Sequence, residues 1–181
     1  MESKKRWIAV LALAFTLAAL VGASAAFASH RWGCWKYANY YIRWYNGASG
    51  DYYNIYQEEA RTDSNSWHNY TDLDLPQVGS AGTSDHVNAY AGFYGSNGWL
   101  GLASIQRASG CTVLQGNAYL NRSYLDSGYS RTNKEHVACQ EVGHLFGLNH
   151  NTGSSTTCMN DTILSAPQPN SHDQALINSL Y

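Results

Sequence analysis

The residues best suited to chemistry lie in one short segment, which reads Gln-Glu-Val-Gly-His-Leu-Phe-Gly-Leu-Asn-His. If this segment begins as a helix, Gln140, Glu141 and His144 share one face, because four residues advance about one turn. Gly147 can adopt a left-handed conformation that ends the helix, so the chain can turn and bring His150 back toward His144. The segment thus predicts that two imidazoles and a carboxylate converge on one point.

Such a cluster could bind zinc. A zinc ion takes imidazole nitrogens at about 2.0–2.1 Å, and in a catalytic site it keeps an open position for water. Glu141, beside the metal but not bound to it, could accept a proton from that water as it attacks a carbonyl. The spacing therefore predicts hydrolytic chemistry with Glu141 as the catalytic residue.

A helix over residues 131–146 would position these side chains. Thr132 or Asn133 is expected to cap its start, and Gly147 is expected to end it. The side of the helix away from the site is apolar and is predicted to face a core through Cys139, Val142 and Phe146.

The rest of the chain alternates between strand and helix signals. Strands are predicted over residues 40–45, 73–75, 86–94, 99–106 and 117–124. Further helices are predicted over 51 to about 67 and over 171–180. Ser171 and Gln174 have the spacing of a capping box at the start of the last helix. An early helix, central strands and late helices favour an α+β domain.

Composition excludes several functions. The chain has 181 residues, of which 44% are hydrophobic, 13% aromatic and 13% charged, and these values do not fit intrinsic disorder. Eleven basic against thirteen acidic residues argue against a nucleic-acid partner. The length fits a single domain, which we expect to be a monomer.

The N-terminal residues are typical of a secretory signal peptide. A basic start, MESKKR, precedes the apolar run WIAVLALAFTLAALVG and the small-x-small cleavage site Ala26-Phe27-Ala28. A membrane anchor is the alternative, because the apolar run approaches spanning length. We expect residues 1–28 to be a signal peptide and residues 29–181 to be one secreted, extracellular catalytic domain without stable membrane association.

Residues 140–150 resemble the metzincin signature H-E-x-x-H-x-x-G-x-x-H, with Gln140 in place of the first histidine. Metzincins also place a methionine in a tight turn below the metal, and Thr157-Cys158-Met159-Asn160 supplies Met159. Residues 171–181 look like the C-terminal helix of the matrixin group. One further segment is similar to the substrate-flanking strand of matrixin-type proteases: Gly98, Trp99, Leu100, Gly101, Leu102 and Ala103.

The resemblance implies a fold and an activity. The fold would be a twisted, mostly parallel sheet with an antiparallel edge strand, a long active-site helix and a small C-terminal lobe. The activity would be that of a secreted zinc endopeptidase, with Glu141 as general base and the metal held by His144, His150 and either Gln140 or an extra water. Its protein or peptide substrate would pair with the edge strand through main-chain hydrogen bonds, and residues 151–157 would line the specificity pocket.

The four cysteines allow three pairings, which the sequence leaves open. If the chain follows the metzincin pattern, we favour Cys139–Cys158, because this disulfide would join the ligand-bearing helix to the methionine turn. The remaining pair would then be Cys34–Cys111. Secretion would permit both disulfides. In the alternative, the Cys34 thiolate blocks the metal, as matrixin propeptides do.

Gln140 leaves three interpretations open. A carboxamide oxygen is a weaker zinc donor than imidazole, and His136 cannot replace it, because eight residues of helix separate His136 from His144 by about 12 Å. The chain could be an active endopeptidase, a catalytically impaired relative that binds peptides along residues 98–103, or an unrelated secreted domain. The other histidines are expected to be ordinary surface or hydrogen-bonded residues: His30, His68, His86 and His172.

Overall fold

A four-stranded sheet forms the centre of the protein. The computed structural model describes residues 30–163 and 166–181, so the predicted signal peptide lies outside the described residues. The strands are β1 (Arg43–Asn46), β2 (His86–Gly92), β3 (Gly101–Ser109) and β4 (Thr112–Asn121). Their order is β1-β2-β4-β3, in which β3 pairs antiparallel to β4 and the other pairs are parallel. The predicted α+β class, with a mostly parallel sheet and one antiparallel edge strand, is confirmed.

The helices are α1 (Asp51–Gln57), α2 (Trp67–Tyr70), α3 (Arg122–Leu125), α4 (Arg131–Leu145) and α5 (Ser171–Leu180). Helix α1 continues as a π-helical turn over Glu58–Thr62. The prediction of one early helix as far as Trp67 is wrong, because polar side chains compete for the backbone after Thr62. Asp63 accepts a hydrogen bond from the backbone N–H of Asn65 at 2.9 Å, and Ser66 caps the separate helix α2.

The long helix α4 begins and ends at defined signals. Its N-cap is Ser130 rather than Thr132 or Asn133, and Ser130 forms a reciprocal capping box with Asn133. At the other end Gly147 has φ of +102°, in the left-handed region, and confirms the predicted stop.

The last helix α5 has the predicted bounds but a different cap. Asn170 and Asp173 form its capping box, one residue earlier than the predicted pair Ser171 and Gln174. Asn170 accepts hydrogen bonds from the backbone N–H groups of His172 and Asp173, so it satisfies two free donors of the first turn. This shift places the carboxyl group of Asp173 against the body of the protein.

The strand bounds differ from the predictions at several ends. The segment over residues 73–75 is not a strand, because Asp74 makes only a single bridge to Tyr41. The last strand, predicted over 117–124, begins at Thr112 and ends at Asn121, where helix α3 starts. Asn121 caps that helix by accepting a hydrogen bond from Ser123, so a residue that looked like strand interior marks the boundary.

The core lies between the sheet and helix α4. Cys139, Val142 and Phe146 are fully buried, as predicted for the apolar side of this helix. The disulfide Cys139–Cys158 joins α4 to the segment over residues 157–160, called the methionine loop below. Cys34–Cys111 joins the N-terminal segment to the turn between β3 and β4. The favoured pairing is therefore confirmed, and the blocking role considered for Cys34 is wrong.

Within residues 30–163 and 166–181, none of the helices is both long enough and apolar enough to cross a membrane.

Candidate active site

A cleft of about 480 Å³ opens between helix α4 and strand β3. Gln140, Glu141 and His144 line it from the helix, and His150 lines it from the loop after Gly147. The strand side consists of five predicted residues: Trp99, Leu100, Gly101, Leu102 and Ala103. The sixth, Gly98, lies just before them and donates its backbone N–H to the Tyr124 hydroxyl at 3.0 Å.

His144 is a buried, neutral ring with one nitrogen free for a ligand. Its Nδ1 lies 2.9 Å from the carbonyl oxygen of Leu148, and because a carbonyl can only accept, Nδ1 carries the hydrogen. Burial lowers the pKa of His144 to about 4, although the bond to Leu148 opposes this shift. The ring is therefore uncharged at neutral pH, and Nε2 carries the lone pair that a metal would need.

His150 lies next to His144 and is oriented by Asp161. The two imidazole centroids are 4.6 Å apart, so the turn at Gly147 brings the histidines together as predicted. Nδ1 of His150 contacts the carboxylate oxygen Oδ1 of Asp161. A carboxylate on one ring nitrogen fixes a ligating histidine and makes its other nitrogen more basic.

Asp161 is the site residue that sequence reasoning missed. It comes two positions after Met159 and lines the cleft beside His150. An acidic residue so close to the methionine turn was a possible signal, but its partner is eleven residues away along an irregular segment. Only the folded loop shows the pairing.

Glu141 is a buried carboxyl at the wall of the cleft. Only 7% of the residue is exposed, and burial raises its pKa to about 8. The backbone N–H of Ala103, on strand β3, donates a hydrogen bond to the carboxyl and opposes part of that shift. Glu141 can therefore exchange a proton near neutral pH, as a general acid or base requires.

Gln140 lines the cleft but is also anchored to the methionine loop. Its amide Nε2 donates to the carbonyl oxygen of Asn160 at 2.7 Å, which leaves the amide oxygen as the atom able to act as a ligand. His136, one turn earlier, is buried, and its Nε2 lies 3.2 Å from the same carbonyl oxygen. His136 thus supports the loop and lies outside the cleft, in agreement with its predicted exclusion from the ligand set.

Met159 packs beneath the helix that carries the histidines. A Cβ placed on Gly143 would lie 2.5 Å from Sδ of Met159 and 2.6 Å from Cζ2 of Trp67. The helix therefore rests directly on the methionine side chain one residue before His144. The backbone of this loop is held by Thr157, whose hydroxyl accepts a hydrogen bond from the N–H of Met159 at 3.0 Å.

The loop over residues 151–157 was expected to line a specificity pocket. Its residues are not among those that line the cleft. Asn160 holds this loop from inside by donating its side-chain amide to the carbonyl oxygen of Ser154 at 2.7 Å. The loop therefore lies next to the methionine turn, on the side of His150.

Two of the four remaining histidines are not ordinary surface residues. His68 and His86 lie within hydrogen-bonding distance of the carbonyl oxygens of Leu73 and Ser84, as expected. His30 and His172 instead stack on each other, with ring centroids 4.9 Å apart, beside the buried carboxyl group of Asp173. The sequence did not predict this contact, because it joins the two ends of the described chain.

No known protein-family model matches this chain, and no curated protein matches it either.

Proposed function

We propose that this chain is a zinc-dependent endopeptidase of the metzincin type. The observation that carries the proposal is the convergence of Glu141, His144 and His150 in one cleft beside an edge strand. Each histidine has its Nδ1 engaged, one by a backbone carbonyl and the other by a carboxylate, so that both Nε2 atoms are left to bind. The sequence motif and this arrangement of side chains lead to the same chemistry.

The donor set fits a zinc ion. Two neutral imidazoles are common zinc ligands, and an amide oxygen from Gln140 or a water would complete the protein side of the site. Zinc, when bound, would polarise the substrate carbonyl and lower the pKa of water. His144, His150 and Gln140 would hold the ion, and Asp161 would keep the ring of His150 in place.

Glu141 would handle the protons of the reaction. Its carboxylate would accept a proton as water attacks the peptide carbonyl, and its protonated carboxyl would then donate to the departing amine. A pKa near 8 suits a group that must both accept and release a proton near neutral pH. The hydrogen bond from Ala103 would keep the carboxyl directed along strand β3.

Strand β3 would bind the substrate backbone. It is the last strand in the order of the described sheet, and β4 pairs with only one of its edges. An extended peptide can add to such an edge through main-chain hydrogen bonds. Because Gly101 and Ala103 line the cleft, the peptide bond to be cleaved would lie next to Glu141.

A peptide-binding protein without catalytic activity is the second candidate. The observation that favours it is the bond between Gln140 and Asn160, which commits part of the third-ligand side chain to the methionine loop. The edge strand would serve this function equally well. In this case, metal-free protein would fold and bind extended peptides without cleaving them.

A quenched fluorescent peptide library and an unfolded protein substrate test the proposal. We expect cleavage that a chelator abolishes and added zinc restores. Glu141→Gln is expected to lower kcat by at least about 100-fold while zinc and peptide binding remain. Full activity of Glu141→Gln would overturn the role of Glu141, and peptide binding without any cleavage would favour the second candidate.

The two disulfides also bear on location. Disulfides persist in oxidising compartments and are rare in the cytosol. Together with the signal-like N-terminal sequence, they support the proposal that the enzyme is secreted and acts outside the cell.

A further inference from the structure

We propose a second metal site, separate from the cleft, in which His30, His172 and Asp173 bind a divalent ion such as zinc. One potential ligand atom from each of these side chains lies within 4.8 Å of the other two. Tetrahedral zinc ligands at about 2.0–2.2 Å from the ion lie roughly 3.3–3.5 Å from one another, so only a small contraction would close the site.

His30 and Asp173 are close enough for an ion pair, but their angles are not those of a hydrogen bond. Nε2 of His30 lies 3.0 Å from Oδ1 of Asp173. Neither atom meets the geometry of a hydrogen bond with any described group, although both are buried. Two ligands of one ion show this relationship, because each directs its lone pair at the ion and not at the other ligand.

Asp173 is held so that one oxygen faces the histidines. The residue is fully buried. Its Oδ2 accepts hydrogen bonds from the hydroxyl of Thr157 and from the backbone N–H of Asn170, the latter at 2.9 Å. Oδ1 is left on the side of His30, and a buried carboxylate oxygen without a donor is costly unless a cation neutralises it.

The mixed donor set favours a zinc-like ion over calcium or magnesium. Calcium and magnesium prefer sites built from oxygen ligands, whereas two imidazoles with one carboxylate are typical of zinc and neighbouring transition metals. The rings of His30 and His172 stack with an angle of 25° between their planes, and one ring nitrogen of each lies within 4.8 Å of a carboxylate oxygen of Asp173.

An ion at this site would connect the segment of His30 to helix α5, and both of these contact loops that support the cleft. The backbone carbonyl of His30 accepts a hydrogen bond from Asn149 at 2.5 Å, and Asn149 directly precedes His150. Asp173 reaches the methionine loop through Thr157. The second ion would therefore stabilise the turn before His150 and the methionine loop from the side away from the cleft. It would stabilise the fold without touching substrate.

The test measures metal in a chain that lacks the cleft histidines. The full chain carrying His144→Ala and His150→Ala is stripped with a chelator and titrated with zinc, and separately with cobalt, whose visible absorption reports nitrogen ligands. We expect one retained equivalent of metal and a zinc-dependent rise in Tm. Adding His172→Phe, which preserves an aromatic ring against His30, should abolish both effects. The matched control is His86→Phe, at a histidine that belongs to neither site, and it should change neither.

Failure of the second metal site can be distinguished from failure of the proposed protease function. A folded His144→Ala, His150→Ala chain that binds no metal would overturn the second site, and the cleft proposal would be unaffected. If that chain does not fold, His172→Phe in the otherwise unchanged protein should lose one of two equivalents, and unchanged stoichiometry would overturn the site. Binding of zinc with no dependence on His30 or His172 would also overturn it, because the ion would then lie elsewhere.

Discussion

Gly101 on strand β3 and Glu141 on helix α4 are packed so closely that the strand has no room for a side chain at this position. A Cβ on Gly101 would lie 2.6 Å from both Cγ and Oε1 of Glu141, and 2.5 Å from Cγ1 of Val137. Two residues later, the backbone of Ala103 donates to the same carboxyl. The strand proposed to bind substrate therefore also sets the position of the proposed general base.

Replacing Gly101 with alanine should displace the Glu141 carboxyl. The added methyl group cannot be accommodated without moving either the strand or the carboxyl, and overpacking of this kind costs about 1–3 kcal/mol of stability. We expect kcat/KM for peptide cleavage to fall by roughly 100-fold, since small misplacements of catalytic groups have effects of this size. Zinc affinity should change little, because the atoms nearest to the added methyl group belong to Val137 and Glu141 and not to the histidines.

Gly79→Ala is the matched control for this substitution. A Cβ at Gly79 would meet no atom within 4 Å, and its backbone does not require glycine. We expect wild-type kinetics for Gly79→Ala. Wild-type kinetics for Gly101→Ala as well would show that the position of Glu141 is not critical for the reaction.

Changing Gln140 to histidine should strengthen metal binding in the cleft. An imidazole is a better zinc donor than an amide oxygen, and position 140 lies one turn before His144 on the same face of α4. We expect zinc affinity, measured by competition with a chromophoric chelator, to rise at least about tenfold. Gln140→Leu, which removes both the amide oxygen and the bond to Asn160, should not show this gain. Equal affinities for the two variants would mean that position 140 does not contact the ion.

Removing the charge of Asp161 should weaken the site through His150. The carboxylate contacts Nδ1 and so fixes the orientation of the ring, and loss of such a partner typically costs 10–100-fold in metal affinity. We therefore expect Asp161→Asn to weaken zinc binding by about this factor, as measured by isothermal titration calorimetry. Asp72→Asn changes the net charge equally but lies outside the cleft, so it should leave the affinity unchanged. A similar loss in both variants would indicate a general charge effect rather than orientation of the ring.

The parts of the site that the sequence predicts are those within a few residues of each other. Glu141, His144 and the stop at Gly147 follow from helical spacing alone, and His150 needs only the turn that Gly147 permits. The bounds of α5 were likewise readable, because the helix lies between local start and stop signals. Neighbouring polar residues such as Ser130, Thr132 and Asn133 can all cap a helix, which is why the cap itself was misplaced.

Contacts between distant segments could not be predicted. Asp161 meets His150 across an irregular loop, and Asp173 meets His30 across almost the entire described chain. The break after Thr62 was also hidden, since no glycine or proline marks it and the helix ends because side chains take over its backbone hydrogen bonds. In the first two cases the deciding contact forms only when the chain is folded, whereas the break after Thr62 is decided by local side-chain hydrogen bonds.

Glu59, in the π-helical turn after α1, should make the stability of the protein depend on pH. The residue is only 2% exposed, and burial, with the nearby acidic groups of Glu135, Asp63 and Glu58, raises its pKa to about 9 despite the opposing charge of Arg131. The unfolded chain releases this proton near the ordinary value of 4.5. Between these two values the native state binds more protons, so the free energy of unfolding should fall as pH rises, by about 1.4 kcal/mol per pH unit from this group.

Glu59→Gln tests this dependence by keeping the shape of the side chain and removing the titration. We expect urea unfolding at pH 8 to show a gain on the order of 5 kcal/mol in the free energy of unfolding, with the two proteins converging as pH approaches 4.5. Asp72→Asn is the control, because it removes an exposed carboxylate that is not among the groups that shift the Glu59 pKa, and it should not alter the slope with pH. If plots of the free energy of unfolding against pH were parallel for Glu59→Gln and the parent protein, Glu59 would be ionised in the native state. The chain around Glu59 would then have to open enough to expose its carboxylate to water.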